Sequence, residues 1–273
     1  MDAGFTSAQV SLLRIGLAAV LVLVPVAALR PRALRFRGRE WGVVVGYGLF
    51  GVAGATTFFF VAVTRIPVGV AVLLEFTAPV FVALWVRFVR RRRLPIAVWL
   101  GIALAMAGLA VVVQVWHGFA LNPVGVAAGF GSALSTTGYF LIGEHGANTG
   151  DPLGLLAGGL VIGAIAVGFA APPWLLPAAR FGATATLGGV ALPVWLVAAL
   201  LAVISTVVPY LCGLASLRHL PSSTASVLGL LEPVTAAVLA WWLIGQSLQP
   251  LQLLGGVAVL GGAILVQIAT RAT

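Results

Sequence analysis

Lysine is absent from this chain, and all fifteen of its basic residues are arginine. Charge of either sign is scarce: 8% of the 273 residues are charged, against 61% hydrophobic, at a mean hydropathy of +1.15. Soluble domains carry about 25% charged and 45–50% apolar residues, so this composition excludes a soluble globular protein and leaves a polytopic membrane protein. A single cysteine, Cys212, excludes an internal disulfide and a cysteine-based metal cluster. Its apolar setting predicts a packing role. The six acids and three histidines are scattered, so no metal or other cofactor is called for. An intramembrane enzyme acting on lipids would need clustered acids, histidines or a nucleophile–base pair, and stands as a minor alternative beside a non-transporting scaffold. No Walker A sequence is present, which argues against direct ATP hydrolysis. The net charge of +9 admits a nucleic-acid partner, but the arginines cluster in loops between apolar runs, and topology explains them without one.

What is abundant is apolar sequence in span-sized pieces. About 20 mostly apolar residues cross the hydrocarbon core, and nine segments qualify: 8–29, 41–63, 68–88, 95–115, 122–143, 153–173, 190–216, 221–244 and 251–269. The stretch 174–189 reads as an interfacial loop. Arg30, Arg32, Arg35, Arg37 and Arg39 fill one connection, and Arg87, Arg90, Arg91, Arg92 and Arg93 another. The positive-inside rule makes that side cytoplasmic. Arg218 and Arg271 then fall inside, Arg65 and Arg180 outside. His117, His145 and His219 fall near span ends, where headgroup contact is their expected role.

Sliding the sequence on itself by 154 residues sets Trp41 on Trp195, Pro67 on Pro221, Pro79 on Pro233, Val80 on Val234, Gly101 on Gly255 and Gly108 on Gly262. No gap is needed from 41 to about 115. Five span-to-span steps separate the Trp41 helix from the Trp195 helix, and an odd number reverses direction. The halves are therefore inverted repeats, an architecture in which secondary transporters bind substrate near the midplane beside broken helices. Gly101, Ala105 and Gly108, with Gly255 and Gly262, predict seams for close helix packing.

Two stretches, "TRIPVGVAVLLEFTAPV" (64–80) and "LRHLPSSTASVLGLLEPV" (217–234), place a glutamate and a proline inside such spans. A carboxylate at a helix centre costs roughly 2.5–3.5 kcal/mol and usually faces a bundle interior or a wet cavity. Proline frees carbonyls and permits bending. Glu75 and Pro79 share a helical face. Ser222, Ser226, Gly229, Pro233, Ala236 and Ala240 form a small-residue stripe, with Glu232 beside it. In the 154-residue alignment Glu75 falls on Gly229 and Glu232 on Ala78, so the charged groups break the pseudo-symmetry. Ser132, Ser135 and Tyr139 make a polar face on 122–143, and Tyr210 follows Pro209. The substrate-path candidates are Glu75, Pro79, Ser135, Tyr139, Tyr210, Ser226, Glu232 and Pro233. For each the competing role is structural: a carboxylate or phenol bonded to a neighbouring helix, or a proline that only sets helix geometry.

At these residues the sequence resembles the drug/metabolite transporter superfamily, in its EamA-type branch. "RIPVGVAVLLEFTAPV" and "LRHLPSSTASVLGLLEPVTAAVLAWWLIGQSLQPLQLLGGVAVLGGAIL" look like the ends of that family's two five-helix halves, and the glutamate in the first looks most like bacterial threonine/homoserine exporters. The family's Gly-Glu near the end of the penultimate helix is here Gly245-Gln246. The resemblance implies ten helices with both termini cytoplasmic. Nine are visible, and the unpaired 122–143 span implies that the absent one is the first. Nine spans with a cytoplasmic C-terminus put Met1 outside with no signal peptide before it.

The resulting expectation is an all-α polytopic membrane protein, an inverted repeat of helical bundles with nine of ten helices present. Residues 1–120 form the first EamA-type repeat and 121–273 the second. Its function is secondary transport by alternating access in the bacterial inner membrane, exporting amino acids or related metabolites, with multidrug or other metabolite export as the alternative. It is not an enzyme. Its partners are a small-molecule solute, the lipid bilayer and protons, with no nucleic acid; a homodimer is an open assembly.

Overall fold

A computed structural model describes residues 6–115, 122–176, 184–187, 190–244 and 249–271. Nine helical passages run through them: α1 (Ser7–Leu29), α2 (Arg39–Val63), α3 (Val68–Phe88), α4 (Ile96–Val112), α5 (Pro123–Thr149), α6 (Pro152–Ala170), α7 (Val194–Leu217), α8 (Ser222–Gly229 and Leu231–Ile244) and α9 (Pro250–Arg271). Each coincides with one expected span. Seven are long and apolar enough to cross a bilayer. Helix α4 is apolar but shorter, and the serines, threonines and glycines of α5 keep it below that apolarity. Large apolar side chains point outward along the passages, among them Phe88, Ile96, Phe169 and Ile268. Such a surface suits a hydrocarbon solvent, in which the helix satisfies its backbone polar groups internally.

The loop expected over 174–189 is partly a β-hairpin. Thr184–Leu187 (β1) pairs antiparallel with Val190–Pro193 (β2), in a register that sets Thr184 on Pro193 and Leu187 on Val190. Helix α7 accordingly starts at Val194, not at 190, with Pro193 as its N-cap residue. Proline cannot donate to a continuing ladder and suits the entry to a helix. Arg180, His117 and the Gly245-Gln246 pair lie outside the described residues.

Packing divides the chain differently from the sequence halves. One compact unit comprises 1–60 and 142–219; the other comprises 61–141 and 220–273. In the first, α1 packs along α6 and α7, and the middle of α2 packs on α6. Its core includes Ile15, Tyr47, Val52, Leu156, Leu160 and Leu214, all buried.

In the second unit α4 and α9 lie against each other with almost no side chain between them. A Cβ on Gly101 would meet the Gly262 carbonyl oxygen at 2.8 Å, and one on Gly108 the Gly255 carbonyl oxygen at 2.6 Å. The 154-residue repeat makes Gly101 equivalent to Gly255 and Gly108 to Gly262. Each glycine therefore faces the image of the other, which requires α4 and α9 to run antiparallel about a two-fold. This is the inverted repeat expressed as a contact. Hydrogen bonds close the pair where α4 ends and α9 begins: Gln114 Nε2 donates to Gln249 Oε1 at 2.8 Å, and Gln252 Nε2 to the Val112 carbonyl at 3.2 Å. Val98, Ile102, Leu109, Val259 and Val266 flank the seam as its core.

Candidate functional site

Helix α3 is broken where its sequence predicts. A first segment, Val68–Glu75, stops at Phe76, and a second, Ala78–Phe88, starts after Thr77. Pro79 is the second residue of the second segment and has no N–H to give the Glu75 carbonyl four residues back. The residue before a proline is also steered away from helical geometry. At the break the Leu74 carbonyl is bonded locally: Thr77 Oγ1 donates to it at 2.6 Å, and Thr77 N at 3.1 Å. Helix α8 repeats the arrangement. Ser222–Gly229 ends at Leu230, Leu231–Ile244 follows, and Pro233 withholds its bond from the Gly229 carbonyl. Glu75 and Gly229, equivalent by the repeat, thus stand at the two breaks.

Helix α5 meets both of them along one face. Ser132 Oγ donates to Glu75 Oε1 at 3.1 Å, with Thr136 Oγ1 at the margin of bonding to the same oxygen at 3.5 Å. One turn on, Phe140 Cζ lies 3.5 Å from where a Gly229 Cβ would be. Residues 132, 136 and 140 are spaced by four, hence one above another on the helix. Above Glu75, Thr137 Oγ1 donates to the Ala133 carbonyl at 2.8 Å and approaches the Ala78 carbonyl at 3.4 Å. Gly129 makes room for Leu74, whose side chain would lie 2.7 Å from an added Cβ. The result is a half-buried carboxylate at the end of a broken segment, braced by hydroxyls of a neighbouring helix.

The expected site residues are distributed as follows. Pro79 and Ser135 are buried; Tyr139 is half-buried, edge-on to Phe140 with ring centroids 5.0 Å apart. Ser226 is buried and donates to the Ser223 carbonyl at 3.1 Å, in a first turn of α8 where Ser222, Ser223 and Thr224 are buried too. Pro233 is half-buried. Glu232 is exposed in the first turn of the second α8 segment, where a helix N-terminus favours negative charge. These six and Glu75 belong to the second unit. Tyr210 belongs to the first, where its hydroxyl donates to the Gly51 carbonyl at 2.9 Å.

That last bond marks a feature with no sequence signal. The middle of α2 (Tyr47–Gly54) and the middle of α7 (Val203–Val207) are π-helical. In a π-helix the wider turn displaces carbonyls from their regular donors, and such segments favour functional sites. Tyr210 satisfies one carbonyl from this region of α2 and packs edge-on to Tyr47 at 6.5 Å.

Three residues differ from, or add to, the expectation from sequence. Cys212 is exposed rather than packed. Apolar neighbours in sequence do not separate a core position from a lipid-facing one. Thr136 joins the candidate residues, since its spacing of four from Ser132 places both on the face that meets Glu75. Arg14 lies within α1, away from the arginine loops; it is half-buried, and its Nε has no hydrogen-bond partner among the described residues. The described residues hold no cluster of three or more metal-ligating side chains.

Known proteins resemble this chain in sequence and in fold. The EamA-like transporter family matches residues 2–114 and again residues 123–268. The threonine/homoserine exporter RhtA of Escherichia coli (strain K12) is 29% identical over 250 residues, covering 89% of this chain and 76% of the exporter. An RhtA from Salmonella typhimurium (strain LT2) is 28% identical over the same shares. An uncharacterized transporter of Archaeoglobus fulgidus is 25% identical over 87% of this chain and 81% of its own length. A solved crystal structure superposes with a TM-score of 0.76 at 18% identity, covering 97% of this chain and 90% of that one, a likeness of fold. With two successive family matches covering most of its length, the chain belongs to the EamA-like transporter family and is a multi-pass membrane transporter.

Proposed function

We propose that this transporter exports small amino acids of the threonine and homoserine kind, by alternating access, across a bacterial inner membrane with its C-terminus in the cytoplasm. The observation that carries the reading is Glu75, a carboxylate at the end of a broken helix, held by Ser132 and within reach of Thr136. An amino acid brings an ammonium group that this carboxylate attracts. At about 4 Å the gross attraction is about 4 kcal/mol at an effective dielectric of about 20, enough to compete with the cost of stripping water from the ammonium. Ser132 and Thr136 can exchange hydrogen bonds with a substrate hydroxyl when Glu75 turns to the solute. Pro79 and Pro233 leave both broken helices short of one backbone bond, so each can flex at its break as the cavity changes side. A carboxylate in this position can also carry a proton in exchange for the solute. The named function of the RhtA relatives and the tilt of the composition toward a bacterial membrane protein support the same reading.

The test is counterflow of radiolabelled threonine and homoserine in proteoliposomes. The parental protein should accumulate label, and Glu75→Gln should lower the initial rate at least ten-fold, the equivalent of about 1.4 kcal/mol. Glu75→Asp should recover part of it. Parental counterflow by Glu75→Gln would remove the carboxylate from the mechanism. Transport of cationic dyes without amino acids would replace amino-acid export by multidrug export.

A further inference from the structure

The first compact unit contains a cavity of about 770 Å³ bounded by the end of α1, the turn between α5 and α6, and the last turns of α7. Its volume falls within the ~300–1,000 Å³ of small-ligand sites. Arg30, the C-cap residue of α1, and Arg218, the C-cap residue of α7, both line it. Asp151 is the acid of the lining, and it is already engaged as the N-cap of α6. Its Oδ1 accepts from Leu153 N at 2.9 Å and from Gly154 N at 3.4 Å. Two arginines therefore share the lining with one carboxylate whose lone pairs are partly spent on backbone donors. Below them, Leu211, Cys212 and Ala215 make an apolar wall on α7, with Cys212 and Ala215 exposed. Cations at helix ends above an exposed apolar helix face match a phospholipid, phosphate at the boundary and acyl chains along the helix. The arginine-bearing side is the one the positive-inside rule assigns to the cytoplasm, where anionic lipids attract basic interfacial pockets.

We propose that this cavity binds the phosphodiester headgroup of an anionic phospholipid, with Arg30 and Arg218 as its ligands and the Leu211–Ala215 face of α7 against the acyl chains. Guanidinium groups suit this role because their planar fork donates two parallel bonds to phosphate oxygens. A free phosphate offers the same oxygens but no tail for the apolar wall. Occupancy would tie the ends of α1, α6 and α7 together. The proposal is independent of the solute, since Glu75 lies in the other unit.

The chain's single cysteine provides the readout, because Cys212 lies exposed in this cavity. Full-length protein in a neutral detergent is titrated with phosphatidylglycerol, phosphatidylcholine or inorganic phosphate, and the alkylation of Cys212 by a small maleimide is timed. Phosphatidylglycerol should slow alkylation at concentrations where phosphatidylcholine and inorganic phosphate do not. In the Arg30→Gln/Arg218→Gln double variant the protecting concentration should rise roughly 30-fold, about five-fold for each arginine. Arg32→Gln, which lines a neighbouring cavity and not this one, should leave protection unchanged and controls for general surface charge. Should the double variant not be recovered folded, the single variants carry the test at about five-fold each. Equal protection by both lipids, or undiminished protection in the arginine variants, would overturn the proposal. Protection by inorganic phosphate alone would assign the cavity to a free anion instead.

Discussion

Gly261 and Gly262 are neighbours in α9, yet alanine should act on them in opposite directions. Both substitutions gain the same helix propensity, about 1 kcal/mol over glycine. At Gly261 the new methyl would have Leu104 Cδ2 as its nearest neighbour, at 3.7 Å, an ordinary contact. At Gly262 it would fall 2.5 Å from the Gly101 carbonyl oxygen, 2.7 Å from Ala105 N and 2.8 Å from Ala105 Cβ. Two of these are backbone atoms of α4, which cannot swing aside as a flexible side chain can. Reaching ordinary contact requires α4 and α9 to part by almost 1 Å, through a seam whose core side chains are already packed. Forcing a methyl into a filled interface typically costs about 1–3 kcal/mol. Net of propensity, Gly262→Ala should be destabilising, by up to about 2 kcal/mol, and Gly261→Ala stabilising, by up to about 1 kcal/mol. Membrane proteins often unfold irreversibly, so the quantity to compare is a lifetime. The assay is the half-life of the monodisperse size-exclusion peak in one detergent at a fixed elevated temperature, with both variants run beside the parent. Equal half-lives for the two variants would refute the two-fold glycine seam, and with it the antiparallel contact that expresses the inverted repeat.

Three further outcomes follow from single contacts. Glu232→Gln should keep threonine counterflow near the parental rate and stability within about 0.5 kcal/mol, because Glu232 is exposed where Glu75 is braced; a loss as deep as that of Glu75→Gln would put both acids on the solute path. Tyr210→Phe removes the donor to the Gly51 carbonyl and should cost about 1 kcal/mol, read as a shorter half-life in the same assay. Asp151→Ala removes the N-cap of α6 and should also cost about 1 kcal/mol, with Asp151→Asn recovering most of it, since an amide oxygen still accepts from the backbone.

All nine helical passages are legible in the sequence because hydrocarbon demands long apolar runs, and arginine and proline mark where those runs stop. The breaks in α3 and α8 are legible too, since Pro79 and Pro233 each withhold one backbone bond. The π-helical middles of α2 and α7 are not. "YGLFGVAG" and "VISTV" carry no residue that forbids a regular α-helix, so the wider turn is set by packing. The hairpin was missed for a related reason: "TATL" and "VALP" are too short and mixed to be told from loop before their register is known. Exposure is the hardest property to read in a membrane chain. In water an apolar side chain is driven inward, but in lipid it is equally at home outside, which is how Cys212 came to be exposed within an apolar stretch.

The same physics explains why two similar glutamates have dissimilar surroundings. Both α3 and α8 break about one turn before their proline's position would otherwise bond, and the repeat sets these breaks in register. Glu75 is the last residue of the segment before its break, four residues ahead of Pro79, while Glu232 immediately precedes Pro233 and belongs to the segment after its break. Moving an acid three residues along the chain carries it past the break, into the first turn of the following segment. One acid therefore meets the hydroxyls of α5, and the other stands in an exposed first turn, where a helix N-terminus favours negative charge. At the position equivalent to Glu75 the second half has Gly229, with Phe140 against it. Along α5 the sequence of partners runs from Ser132 and Thr136 at the carboxylate to Phe140 at the glycine, polar at one break and apolar at the other. A solute with a charged end and an uncharged end is asymmetric in the same sense. A two-fold backbone can present such a solute with different ends only if the side chains at its equivalent positions differ, and at these two breaks they do.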